Sequence, residues 1–125
     1  MTELVYPELS YQLIGIMFDV YNELGGGLKE KHYEKAVKKL FDERSIHYSE
    51  QLMVPIIFKS EQIGKNFLDF LVERKIVIEL KTGERFKKEN INQIYNYLKS
   101  SNLKLGILVN FRDKDVRFKR ILNIS

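Results

Sequence analysis

The chain has 125 residues, 44% of them hydrophobic and 12% aromatic, and no cysteine. That length suits one domain with its own apolar core, and the composition excludes a disordered chain, disulfides and thiolate metal sites. Lysine and arginine total 21 against 17 acids, a net charge of +4, which permits contact with a polyanion without requiring it.

Residues 8–24, ELSYQLIGIMFDVYNEL, place Leu9, Leu13, Ile16, Val20 and Leu24 on one helical stripe. Gly25, Gly26 and Gly27 end that helix, since glycine readily takes the left-handed conformation of a C-cap. A second helix is expected from about Lys29 to Arg44, with Tyr33, Val37, Leu40 and Phe41 inward. From about Tyr48 the period shortens: QLMVPIIFK is strand-forming, SEQIG reads as a turn, and KNFLDFLV as a second strand. ERK is a short loop into a third strand, IVIELK. TGERFKK leads to a helix at about 88–101, with Ile91, Ile94, Tyr95 and Leu98 at helical spacing. LKLGILVNF is a buried strand, and DVRFKRILN an alternating edge strand.

The order α-α-β-β-β-α-β-β predicts an α/β fold. Three strands form an antiparallel meander, a helix crosses over, and a fourth strand joins the same mixed sheet. No repeat, linker or low-complexity tract interrupts the chain, so residues 1–125 read as a single domain. No apolar run approaches the ~20 residues needed to cross a bilayer. The acidic, mixed start MTELVYPELS is unlike a leader peptide, so the expected location is the cytoplasm.

The stretch FLDFLVERKIVIELK, residues 67–81, sets Asp69, Glu79 and Lys81 inside two apolar strands. A loop centred on Arg74 puts Val72 opposite Ile76, Leu71 opposite Val77, and Asp69 directly opposite Glu79. Direct cross-strand neighbours have Cβ atoms about 5 Å apart, and Lys81, two residues beyond Glu79, projects from the same face. Leu68, Phe70, Ile78 and Leu80 are expected on the other face. Two opposed carboxylates repel. A divalent cation removes that repulsion, and Mg²⁺ prefers a few carboxylates plus waters and a substrate phosphate. Lys81 beside such an ion could orient or deprotonate the attacking water or stabilise charge on a phosphate. The alternative is structural: Lys81 neutralises both carboxylates in a partly exposed network, and Asp followed by Glu-x-Lys also arises by chance.

With this strand–turn–strand layout, Asp69 and Glu79-Leu80-Lys81 resemble the signature of the PD-(D/E)XK nuclease superfamily. Upstream, GLKEKHY matches the Gly-x-x-Glu-x-x-Tyr pattern of the GxxExxY group at Gly27, Glu30 and Tyr33. The resemblance extends over roughly residues 10 to 111. It implies a restriction-endonuclease-like core and an Mg²⁺-dependent (Mn²⁺ also) nuclease of (endo)deoxyribonuclease type, hydrolysing phosphodiester bonds in nucleic acid, DNA foremost. It implies Asp69, Glu79 and Glu30 as metal ligands and Lys81 as the residue that activates or positions water. Glu30 read alone is simply an acid favoured in a first helical turn. Gln93 and Tyr97 match the Gln-x-x-x-Tyr motif of RecB-like nucleases and share a helical face. The resemblance makes them substrate-positioning residues; on their own they read equally as a core tyrosine with a glutamine at its edge. Leu68 stands where the signature has proline, which leaves the metal chemistry of Asp69 intact. By analogy with small nucleases that cut both strands, a homodimer is expected.

His32 and His47 stand apart and carry no role. GGGLKEK lacks the spacing of a phosphate-binding loop. A second function class remains open, a catalytically inactive module of the same fold that binds nucleic acid or a protein. Metal dependence separates the two.

Overall fold

In a computed structural model that describes residues 5–124, the chain forms α1 (Pro7–Leu24), α2 (Glu30–Glu43), β1 (Tyr48–Phe58), β2 (Glu61–Val72), β3 (Ile76–Thr82), α3 (Lys88–Ser101), β4 (Leu105–Phe111) and β5 (Val116–Leu122). The element order is the one the sequence predicts. Residues 1–4, the start of the stretch read as unlike a leader, lie outside the described residues. Among the described residues no helix is long and apolar enough to cross a membrane.

The five strands make one sheet in the order β1-β2-β3-β4-β5. All neighbours are antiparallel except β3 and β4, which run parallel because α3 crosses over between them. β4 is buried along all 7 residues, which is why its sequence shows no polar alternation. Helices α1 and α2 cover one face, with Leu13, Ile16, Tyr33, Val37 and Phe41 packed on Phe70, Ile78, Leu80, Ile107 and Val109. Helix α3 covers the other, with Ile94 and Leu98 on Leu68, Val77, Leu108 and Ile121. This is the α/β architecture of a mixed sheet between helices.

Local signals explain the element ends. Pro7 occupies the first turn of α1, where its missing N–H is not needed. Gly25 ends the helix at φ 69° and donates its N–H to the Tyr21 carbonyl at 2.7 Å. A Cβ on Gly26 would collide with the backbone of Arg112 and Asp113, so the helix turn is seated directly on the β4–β5 connection. The Tyr21 hydroxyl donates to the Arg112 carbonyl at 2.9 Å and holds the same contact.

The structure departs from the sequence reading at four places. Leu24 is exposed and Met17 takes its place in the buried stripe of α1. Lys59 and Ser60 alone make the β1–β2 turn, both left-handed (φ 48° and 65°), so β2 begins at Glu61. Tyr95, at core spacing in the sequence, points outward, while Tyr97 packs against the α3 core, the alternative that the sequence left open for it.

The fourth difference bears on function. Leu68 packs under α3 whereas Phe70 packs under α1 and α2, so these two residues do not share a face. The chain changes sides at Asp69. Opposite it the β1–β2 pairing steps from Glu50↔Phe70 to Leu52↔Leu68, and the intervening Gln51 is left-handed at φ 54°. A left-handed residue breaks the pleat of β1 at this point, beside the place where β2 changes sides.

Candidate active site

β2 and β3 pair only at Phe70↔Ile78, Leu71↔Val77 and Val72↔Ile76, the register that a loop centred on Arg74 requires. One step further out, Asp69 and Glu79 replace the ladder with reciprocal side-chain bonds. The Asp69 N–H donates to Glu79 Oε1 at 3.0 Å, and the Leu80 N–H donates to Asp69 Oδ2 at 2.8 Å. Each carboxylate is therefore aimed by the backbone of the other strand, and the strands diverge around them.

The pair is electrostatically unbalanced. Glu79 is 3% exposed, and its carboxyl pKa is pushed up to about 8, first by burial and then by the charge of Asp69, with which it shares a hydrogen bond. Lys81 opposes this only in part: its Nζ lies 3.4 Å from Glu79 Oε2 and 3.8 Å from Glu30 Oε1. Burial alone would lower the Lys81 pKa, but the charges of Glu79, Glu30 and Asp69 overcome it and raise it. Lys81 is thus a firmly protonated ammonium.

Glu30 enters from the first turn of α2. Its position follows from Tyr33, one turn on, which is fully buried and stacked on Phe111 with centroids 4.2 Å apart. The Tyr33 hydroxyl donates to the Gly25 carbonyl at 2.7 Å and accepts from the Leu28 N–H at 3.3 Å. It grips the α1–α2 connection at both ends. The Gly27, Glu30, Tyr33 pattern therefore has a physical content: glycine at φ 90° turns the chain, tyrosine locks the turn, and glutamate faces Lys81. Burial, then the Asp69 charge, raises the Glu30 pKa against the pull of Lys81.

The sequence reading missed Glu34 and gave Asn110, at a strand end, no chemistry. Glu34 shares the α2 face with Glu30 at i, i+4, and burial and the charge of Asp69 raise its pKa too. Their spacing was a visible signal. Asn110, 3% exposed at the end of β4, donates from Nδ2 to the carbonyls of Gly83 (3.1 Å) and Arg85 (2.8 Å). It holds the β3–α3 connection over a cleft of about 270 Å³ shared by Glu30, Lys81, Arg85, Lys87 and Asn90. No local pattern marks a strand-end asparagine for that work.

The structure brings Asp69, Glu79, Lys81 and Glu30 together. Gln93 lies one groove away, between α3 and the β1–β2 strands, beside Val54, Ile56 and Asn66. Glu89 borders both spaces. Tyr97 is half-buried against the α3 core. Among the described residues no three acidic or histidine side chains converge as a ready-made metal cage, and Glu30 reaches Lys81 rather than the carboxylate pair. The donors on offer are the two opposed carboxylates. Hard oxygens carrying uncompensated charge fit a divalent cation that takes its other ligands from water and phosphate.

No curated protein matches the chain. Among solved structures, the crystal structure of SSO0001 superposes with a TM-score of 0.56 at 17% identity, over 76% of this chain and 51% of that one. At that identity the likeness concerns the fold, and the chain spans about half the length of that protein. The family model of the PD-(D/E)XK nuclease superfamily matches residues 7–121, a span that includes both core faces and the charged hairpin. With the Asp and the Glu-x-Lys meeting where β2 and β3 part, the chain belongs to the PD-(D/E)XK nuclease superfamily.

Proposed function

We propose that the chain is an Mg²⁺-dependent endonuclease of the GxxExxY group, able to use Mn²⁺, that hydrolyses phosphodiester bonds in DNA. In this reading residues 1–125 are one nuclease domain that works in the cytoplasm as a homodimer. One observation carries the catalytic part: Asp69 and Glu79 face each other at a strand divergence with too little positive charge nearby to balance them. Such a pair is costly in a protein that uses it only for stability.

Asp69 and Glu79 are the residues that would hold the ion, with Glu30 assisting from α2. When bound, the ion supplies neutralisation of the carboxylates and polarisation of the scissile phosphate. Lys81, which faces Glu79 and Glu30 at 3.4 and 3.8 Å, would activate or position the attacking water and balance charge growing on the phosphate. The water oxygen bonds to phosphorus and gives up a proton to the solvent, the ester P–O bond breaks, and the departing oxygen takes up a proton from the solvent. Gln93 and Tyr97 would position substrate from the adjoining groove, the role of the Gln-x-x-x-Tyr motif. The basic residues Arg85 and Lys87 above the cleft suit flanking phosphates.

The test is cleavage of plasmid, single-stranded and branched DNA and of RNA, in Mg²⁺, Mn²⁺ or EDTA. Wild type should cut in either metal and not in EDTA, and Asp69→Asn should cut nothing. Cleavage by Asp69→Asn equal to wild type would refute the assignment. A wild type that binds these substrates without cutting any would instead favour an inactive binding module.

A further inference from the structure

β2 leaves the sheet at Asp69. It pairs with β3 only over Phe70–Val72, while its pairing with β1 runs on from Leu52↔Leu68 to Phe58↔Glu61. Residues 52–68 therefore form a two-stranded ribbon that starts at the carboxylate pair. One face rests on α3 through Leu52, Val54 and Leu68. Because Leu68 points into that core, Phe67 and its cross-strand partner Met53 project from the opposite face. That is the side from which Glu30 and Glu34 of α2 approach Asp69.

The free face and tip are apolar and open. Phe67 is 44% exposed, Phe58 58% and Ile63 63%. Such a cluster on a protruding element marks a contact surface. Its chemistry is specific, because each exposed phenyl ring carries an ammonium. Lys65 Nζ lies 5.7 Å from the Phe67 ring centre, and Lys59 Nζ 5.6 Å from that of Phe58. A ring paired with a cation matches a nucleotide, which offers a flat base beside a phosphate. Phe67 sits about 7 Å along the strand from Asp69, within reach of the nucleotide next to the one cut. Edge pairing with another strand fits less well: Pro55 offers no N–H, and the left-handed Gln51 bends β1.

We propose that this ribbon is a nucleic-acid arm whose Phe67 and Phe58 stack on unpaired bases, so that the site acts on nucleic acid with single-stranded character rather than on continuous duplex. The inference rests on the nuclease reading for what is cut, but the binding it describes does not need the carboxylates.

The experiment measures binding in EDTA of a labelled oligothymidylate and of a blunt duplex of equal length. Wild type should bind the single strand about tenfold or more tighter than the duplex, and Phe67→Ala should lose about tenfold for the single strand alone. Phe67→Trp should keep the affinity, and its indole, the sole tryptophan in the chain, should be quenched on binding. Unchanged affinity in Phe67→Ala, or equal affinity of wild type for duplex, would overturn the proposal. So would a Phe58→Ala/Phe67→Ala protein that turns from dimer to monomer yet binds as before, which would make the face a self-association surface. In EDTA Asp69→Asn should bind the oligothymidylate as wild type does, and in Mg²⁺ it should leave it intact. A wild type that binds the oligothymidylate but cuts nothing in Mg²⁺ or Mn²⁺ would sink the nuclease reading and leave the arm standing, whereas metal-dependent cutting with affinity unchanged in Phe67→Ala sinks the arm alone.

Discussion

Glu79 is the residue where stability and activity pull apart. The folded protein holds its proton up to about 8, while the unfolded chain releases it near the ordinary 4.5. The group's contribution to stability is therefore complete below about 4.5 and is lost as pH rises through about 8. In EDTA the melting temperature should fall across that window, and Glu79→Gln should flatten the fall. At pH 8 that variant, which keeps the Oε1 acceptor for the Asp69 N–H, should be more stable than wild type by about 1–4 kcal/mol. Scanning calorimetry against pH checks both; a Glu79→Gln protein less stable than wild type at pH 8 would contradict the charge imbalance. Lys81 behaves differently. It is partly solvated; its 3.8 Å partner Glu30 is exposed enough for the pair to stabilise little, and its 3.4 Å partner Glu79, though buried, holds a proton up to about 8. Lys81→Ala should thus cost about 10²–10³-fold in cleavage rate, as for loss of one charge-stabilising donor, with little change in melting temperature.

At the scale of elements, α2 is aimed by a loop lock. Tyr33→Phe keeps the stacking on Phe111 but abandons the Gly25 carbonyl and the Leu28 N–H. It should cost about 1 kcal/mol and slow cleavage by loosening Glu30; melting curves and single-turnover rates together would show it. Gly26→Ala should be more damaging, since its Cβ meets the Arg112 and Asp113 backbone, which cannot step aside as a side chain can. Much of this level was legible in the sequence. The change from helical to alternating spacing at Tyr48 and the all-apolar run at 105–111 marked the elements, and ERK between two apolar runs set Asp69 against Glu79. What stayed hidden depends on backbone conformations that side-chain spacing does not encode. Gln51 is left-handed without being glycine, and it breaks β1 opposite the point where Leu68 and Phe70 part to different faces. Asn110 looked like the end of a strand because the carbonyls it binds, Gly83 and Arg85, are distant in sequence. Tyr95 and Tyr97, two residues apart on α3, differ in burial because the helix is turned slightly from the face that spacing implied.

For the molecule as a whole, the sheet provides a rigid base and the divergence of β2 from β3 provides the opening. The two helical layers stabilise the sheet from both faces, so the unbalanced carboxylates at its margin can be tolerated. Cation binding should then be linked to pH and to stability. Binding must displace the proton held at Glu79, so Mg²⁺ should raise the melting temperature more at pH 8 than at pH 6. Equal shifts at both pH values would place the ion elsewhere. The most direct measurement is calorimetric titration of Mn²⁺ into wild type, Asp69→Asn and Glu79→Gln at pH 7, in two buffers of different ionisation heat. Wild type should bind and release a proton, with weakened or absent binding in both variants. Binding that is unchanged by either substitution, or no binding in wild type, would contradict a cation site at the opposed carboxylates.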